Sequence, residues 1–455
     1  MAYNKQKLSK KQKRELKKKD KGIVDLMRII HHFFEDLPAW IEEMTDPRCL
    51  PYCIYTQSDY VYMGIMKNLC GQVSMNSMEE MFNEENCIAA LKILTGDKNL
   101  NEMPHKDSLN YYLEKLSPLC LSELRKKMVK RLIRMKTFNR SKLLGKYWRI
   151  VIDGTNIHYY KEKPDEHCLV TNIEKNGKKI TCYYHKVLEA KLILHEDIII
   201  SIDTEFIENE DEKVSKQDCE TNAAKRLVKR IKKNYPRLDI CIQGDALYAT
   251  EPFMKICREY GWKYLFTEKQ ERQPIIVECY DYIRAGGGCD AVEGIFKENG
   301  TGRYSNGVEI TAGKNETANI FEYEYTLKDK EGQKKQIRFL WVTNIELKAK
   351  ILEEMINAGR GRWKIENEGF NNQKNGIYEI EHLNSRNYNA IKNHYLLTQI
   401  ADIIFQLYYT CSAVIRELSQ SRKNTSSWLL ESFRRQKVTD EDVSFIVKYT
   451  TVYLE

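Results

Sequence analysis

Three carboxylates fall where a folded chain would expose them. Asp153 closes the apolar run Arg149-Ile150-Val151-Ile152, Asp245 follows the buried-type run Ile240-Cys241-Ile242-Gln243-Gly244, and Glu366 lies in a helical stretch far downstream. Singly, each has an ordinary reading: Asp153-Gly154 as a hairpin turn, Asp245 as a helix cap, Glu366 as a surface residue. Gathered in space they would hold hard divalent cations, which select carboxylate oxygen over Cys or His, with Mg2+ first and Mn2+ as the alternative. Glu368 is the rival third carboxylate. At about 100° per residue it lies about 200° around the helix from Glu366, so only one can face the aspartates. Trp363 and Phe370 project on the Glu366 side, which favours Glu366 and makes Trp363 a core anchor. Arg362, one turn earlier on the same face, is placed to clamp a phosphate or to pair with Glu366.

The elements that must position these residues follow from periodicity. From Ile23 to Lys146 apolar residues recur at helical spacing, as in Leu109, Tyr112, Leu113 and Leu116. Short apolar runs then predict three strands at Trp148 to Ile152, Lys186 to Leu194 and Asp197 to Ile202. A helix is expected from Gln217 to Asn234, its buried stripe being Ala223, Ala224, Leu227, Val228 and Ile231. Strand 238–242, a helix near 251–260 and strand 263–267 complete a mixed α/β layout. Residues 270–337 alternate apolar and charged positions between Gly-containing turns, which predicts hairpins and not helices. Strand 338–342 returns to the sheet, and the chain is helical from Leu347 onward, with one strongly apolar helix around Leu396 to Leu407. That helix either packs on the sheet, the commoner role, or forms a partner surface.

Asp on a first strand, two companions, a helix, a second Asp after the next strand, and Glu on a late helix is the order of the RNase H-like fold. The chain resembles the DDE transposases of bacterial insertion sequences, in the branch with a β-rich insertion before the catalytic Glu. The matching words are Val151-Ile152-Asp153-Gly154-Thr155, Lys216-Gln217-Asp218-Cys219-Glu220, Gly244-Asp245-Ala246-Leu247-Tyr248-Ala249 and the stretch from Arg362 to Lys374. The related signature has Tyr, Arg, Glu and Lys at fixed intervals. Here Gly359 stands where Tyr would be, and the lysine arrives one residue late, at Lys374.

The resemblance implies an integrase-type mixed sheet with flanking helices, an all-helical N-terminal region and an inserted β-rich subdomain. It implies Asp153, Asp245 and Glu366 as catalytic and metal-binding residues, and metal-dependent strand cleavage and strand transfer as the reaction. The chemistry fits: two Mg2+ roughly 3.5 to 4 Å apart neutralise a phosphate and activate an oxygen nucleophile, with Asp153 bridging both ions and Asp245 and Glu366 each holding one. Trp341, near the end of the insertion, is a candidate for stacking a displaced base. Two other readings remain open: a catalytically inactive DNA-binding protein derived from a transposase, and a nuclease of the same fold that cuts without joining.

Charge supports a nucleic-acid partner. Residues 1–22 carry ten Lys or Arg and two acids, which accounts for the whole net charge of +8. Between Arg125 and Arg149 lie eleven Lys or Arg and no acid, and within that run Lys126, Lys127, Lys130, Arg131 and Arg134, together with Arg362 and Lys374, are the expected DNA contacts. The alternative for the run is a solvated helix face. The expected partners are the inverted-repeat ends of its own element and target DNA, engaged by at least a dimer. No membrane-spanning run or signal peptide is visible, so a cytoplasmic, nucleoid-associated bacterial protein is expected. The thirteen cysteines then read as free thiols, and His167, Cys168, Cys182 and His185 as either a zinc set or cross-strand neighbours. The expected division is a basic tail at 1–22, a helical DNA-binding region at 23–147, core at 148–268, β-rich insertion at 269–337, completed core at 338–420 and a helical tail at 421–455.

Overall fold

The computed structural model describes residues 9–175, 177–195, 197–210, 216–310, 316–328, 333–363 and 365–448. Its first part is helical: α1 (Lys10–Lys19), α2 (Gly22–Phe34), α3 (Leu37–Glu42), α4 (Gln57–Leu69), α5 (Met75–Phe82), α6 (Glu85–Thr95), α7 (Lys106–Lys115) and α8 (Pro118–Arg134). Boundaries follow local chemistry. Thr56 caps α4 by accepting from the Asp59 N–H, while the Asp59 carboxylate answers the Thr56 N–H.

The sheet begins with β1 (Trp148–Tyr160), β2 (Leu169–Lys175), β3 (Lys178–His195) and β4 (Ile198–Ile207). After α9 (Glu220–Asn234) come β5 (Ile240–Gly244), α10 (Glu251–Glu259) and β6 (Lys263–Thr267). All five apolar positions expected on α9 are buried. Strand β3 is antiparallel to β1 on one side, and on the other it pairs with β2 along its first half and β4 along its second. β1, β5 and β6 run parallel. The order β4-β3-β1-β5-β6, with a helical crossover into β5, is the RNase H-like core.

The insertion opens with a helix, α11 (Pro274–Ala285), and this corrects the expectation of hairpins alone. Pro274 sits in the first turn, where its missing N–H costs nothing. Strands β7 (Asp290–Ile295), β8 (Gly300–Glu309), β9 (Thr317–Lys328) and β10 (Lys334–Thr343) then form an antiparallel meander. Only Trp341 to Thr343 of β10 reach β6, so the meander extends the core sheet across one short seam.

Helix α12 (Ala349–Arg360) leads into a π-helix, Ile365–Asn371, and a short α13 (Asn372–Asn375). Helix α14 (Tyr388–Cys411) lies between β4 and helices α2, α4, α7 and α8. It is buried over most of its surface, and its buried polar residues Asn393, Gln399, Asp402 and Gln406 are hydrogen-bonded. It packs rather than presenting a partner surface: a Cβ added at Gly64 of α4 would lie 2.8 Å from a Leu397 methyl. Helices α15 (Ala413–Leu418), α16 (Arg422–Arg435) and α17 (Asp440–Lys448) return to α1 and α2, where Lys21 pairs with Asp442 at 2.5 Å. Among the described residues no helix is long and apolar enough to cross a membrane.

Candidate active site

Asp153 lies within β1, which continues seven residues to Tyr160, so it is no turn residue. The parallel register pairs Val151 with Gln243, and two residues further on each chain stand Asp153 and Asp245. Continued by two residues, that register would bring them level, about 4.8 Å apart in backbone. Asp245 is the first residue beyond β5, at the carboxyl end where open sheets place ligands. Its Oδ1 accepts the Leu247 N–H at 2.9 Å, and Asp153 Oδ1 accepts the Gly154 N–H at 2.9 Å.

Burial pushes the Asp153 carboxyl up to about 6; the negative charges of Glu220 and Asp245 add to the rise and Arg362 opposes it. The Arg362 guanidinium stands 3.8 Å from Asp153 Oδ2 and lies over the Trp363 ring at 4.7 Å. Arg362 therefore faces the aspartate. Trp363 is 48% exposed, against its expected place in the core, while Phe370 is buried. Phe370 packs on Val151, Ile193 and Ile199. Val151 and Asp153 alternate along β1 and so share a face, which puts the π-helix on the Asp153 side of the sheet. In an i→i+5 helix, residues four and five apart stack, so Glu366 precedes Phe370 by about a turn. Glu366 is exposed, and the Glu368 side chain lies outside the described residues.

Among the described residues no three His, Cys, Asp or Glu converge closely enough to hold an ion. The aspartate pair nevertheless suits a hard cation. It offers carboxylate oxygens at one level, mutual repulsion that raises Asp153, and a guanidinium 3.8 Å away that supplies part of the missing positive charge.

A family model described as transposase DDE domain matches residues 144–401, more than half of the chain. The chain belongs to the DDE transposase family. Transposases of this family cut and rejoin DNA phosphodiesters with divalent metal ions. No curated protein matches the chain. Among solved structures, a piggyBac transposase synaptic complex with hairpin DNA is similar at 11% identity over 93% of this chain and 84% of that one, with a TM-score of 0.42.

The two departures from the family signature have packing reasons. A Cβ at Gly359 would come 2.6 Å from the Trp341 indole, so that indole fills the space of a side chain at 359. Trp341 is itself buried between Phe321 and Phe339, with ring centroids 5.1 and 5.7 Å away, and so is unavailable to stack on a displaced base. One residue before Lys374, Gln373 is buried and bonds Gln399 and Asp402. Lys374 pairs with Glu381 at 2.7 Å.

The transposase's basic run divides. Arg125 is buried, and donates to Ser201 at 2.8 Å and to Asp203 at 3.3 Å. Lys126 pairs with Glu123, Lys127 with Glu43, and Lys130 lies over the Tyr235 ring at 5.7 Å. Arg131 is half-buried and Arg134 exposed. The start of the run thus helps dock α8 on β4 and α3. Three of the four would-be zinc residues have other partners: His185 pairs with Asp165 at 3.0 Å, His167 stacks on Tyr388 at 4.9 Å and bonds the Asn209 carbonyl, and Cys168 Sγ donates to the Asp165 carbonyl; Cys182 lies opposite Thr171 across β2 and β3. All thirteen cysteines are free.

Sequence reasoning gave no role to Glu220, although it sits in one of the family-like words. In the first turn of α9, its Oε1 accepts the Tyr248 hydroxyl at 2.5 Å and its Oε2 meets Lys186 Nζ at 2.6 Å. An acid opening a helix beside Asp218-Cys219 was the available signal, but it reads equally as a helix-dipole partner.

Proposed function

We propose that this transposase cuts and joins the ends of its own insertion sequence, with Asp153, Asp245 and Glu366 as its three carboxylates. The observation that supports the reading is the placement of Asp153, within β1, beside Asp245, just past the carboxyl end of parallel β5, on the face over which the Glu366-bearing helix is anchored by Phe370. Asp153 and Asp245 would hold the divalent ion, Mg2+ or Mn2+, with Glu366 completing its shell. When bound, the ion lowers the pKa of an attacking water or 3′-hydroxyl and neutralises charge on the phosphate.

The chain's own residues do the rest. Asp153 must give up its proton before it can serve, and Arg362, 3.8 Å away, favours that loss. The same guanidinium is placed to hold a non-bridging phosphate oxygen. The helical region before β1 and the exposed part of the basic run, Arg134 included, supply phosphate contacts that hold the inverted-repeat ends, while target DNA enters the same site for joining. Two ends joined in concert require two active sites, hence a dimer on DNA.

Alanine at Asp153, Asp245 or Glu366 is expected to abolish Mg2+-dependent cleavage of end DNA while leaving DNA binding within a few-fold. Substantial cleavage by Asp153→Ala would refute the assignment. Cleavage without joining by the wild type would leave a nuclease of the same fold.

A further inference from the structure

Two glycines flank the aspartates, and both are occupied from behind. An added Cβ at Gly154 would collide with the Glu220 carboxylate, and one at Gly244 would come 2.6 Å from the Tyr248 ring. Gly154 follows Asp153 in its strand, so its missing side chain would project from the opposite face. On that back face Gly244 lies against Tyr248 and Ile152, and Tyr248 is buried. The occupants are joined: Tyr248 donates its hydroxyl to Glu220 Oε1 at 2.5 Å. The second oxygen of Glu220 is neutralised by Lys186 at 2.6 Å, from the neighbouring strand β3. One chain of contacts thus links Asp153-Gly154, α9, Gly244-Asp245 and β3 behind the aspartates.

We infer that Glu220 is a positioning residue, the centre of a Lys186-Glu220-Tyr248 strut that fixes the spacing of the Asp153-Gly154 and Gly244-Asp245 segments and thereby their affinity for a divalent cation. The inference rests on the metal-site reading above. Glu220 acts through the two backbones and not as a ligand, because both its oxygens are already engaged on the far face. The strut explains why both aspartates adjoin glycine: any side chain at 154 or 244 would displace a member of it. It also explains a charged pair near the site that the chemistry itself does not use. A carboxylate between a phenol and an ammonium makes two charge-assisted hydrogen bonds, which are short and directional enough to hold a spacing.

The test uses full-length protein without DNA. Mn2+ binding is read by electron paramagnetic resonance for the wild type, Glu220→Gln, Tyr248→Phe, their double variant and Asp153→Asn, and thermal unfolding of each checks the fold. Residues that orient metal ligands typically govern 10- to 100-fold in affinity, so Glu220→Gln is expected to weaken Mn2+ by about tenfold or more. Tyr248→Phe should weaken it by about threefold, with the double variant no worse than Glu220→Gln alone, since both remove one strut. Cleavage by Glu220→Gln should need more Mg2+ but recover at saturation, which a loss of folding stability would not produce. Wild-type Mn2+ affinity in folded Glu220→Gln would overturn the inference, and so would a loss as complete as that of Asp153→Asn, the mark of a direct ligand. Should Glu220→Gln not fold, unchanged affinity in Tyr248→Phe, which lacks one hydroxyl, overturns it equally. Normal Mn2+ binding by Asp153→Asn would instead remove the metal site itself.

Discussion

The two aspartates and the glutamate are held by different physics. Asp153 and Asp245 are placed by the hydrogen-bond register of parallel β1 and β5, half-buried beside Arg362 and backed by Glu220 and Tyr248. Glu366 rides on a π-helix fastened to the sheet through Phe370, and its side chain is exposed. A strand register fixes a position to a fraction of a residue, because a slip of one turns every side chain to the other face. A helix laid across a sheet fixes only what its buried stripe fixes. On the proposed reading, the aspartate pair is the preformed half of the cation site, and the exposed glutamate is the half that joins it when the cation is bound.

The comparison breaks most sharply at the metal. Asp245→Asn should reduce Mn2+ binding to background, whereas Glu366→Gln should retain it within about tenfold and yet lose all cleavage. Equal losses of binding in both variants would make the three carboxylates a single preformed site. Next in size is Phe370→Ala, which empties a buried aromatic position at a cost of about 3–5 kcal/mol. Cleavage should fall through loss of the glutamate while Mn2+ still binds the aspartates. Retained cleavage in that variant would show that the helix has another anchor.

A pH effect should be smaller and confined to the aspartate half. Asp153 holds its proton up to about 6, against an ordinary value of 3.8. A carboxyl raised on folding stabilises the folded chain in acid and loses that contribution as pH climbs from about 4 through about 6. Cation binding runs the other way, because the proton must leave. Mn2+ affinity should rise by about tenfold per pH unit up to about 6 and then level. Isothermal titration between pH 5 and 8 reads this, and a flat profile would deny that Asp153 is a ligand. The smallest effect is in the basic run: neutralising Lys126 and Lys127, already paired with Glu123 and Glu43, should leave the salt dependence of DNA binding unchanged, while Arg134→Ala flattens its slope by about 0.9.

What could be read from the sequence follows the same division. The stripe of Ala223, Ala224, Leu227, Val228 and Ile231 declared its helix because the period matches one buried face, and the continuous run Ile150-Val151-Ile152 declared its strand because both faces are covered there. Helix α11 was hidden because Ile275, Ile276 and Val277 are β-branched, though Pro274 ahead of them marked a helix start. Trp363 and Phe370 share a face at α-helical spacing, but the i→i+5 turns of the π-helix between them change that phase, and Phe370 is buried while Trp363 is exposed. Gly359 and Trp341 stand 18 residues apart in the chain and on different elements, so nothing local links the absent side chain to the indole that replaces it. Glu220 was missed for a related reason: its partners Lys186 and Tyr248 lie 34 residues before and 28 residues after it.

On the proposed reading, Asp153 of β1 and Asp245 just past β5 bind a cation before Glu366 joins them. Crystals of the full chain soaked in Mn2+ without DNA, and read by anomalous scattering, test it directly. The account predicts a peak between the Asp153 and Asp245 carboxylates whether or not Glu366 has turned in. A peak bounded by other residues, or none at concentrations that support cleavage, would contradict it.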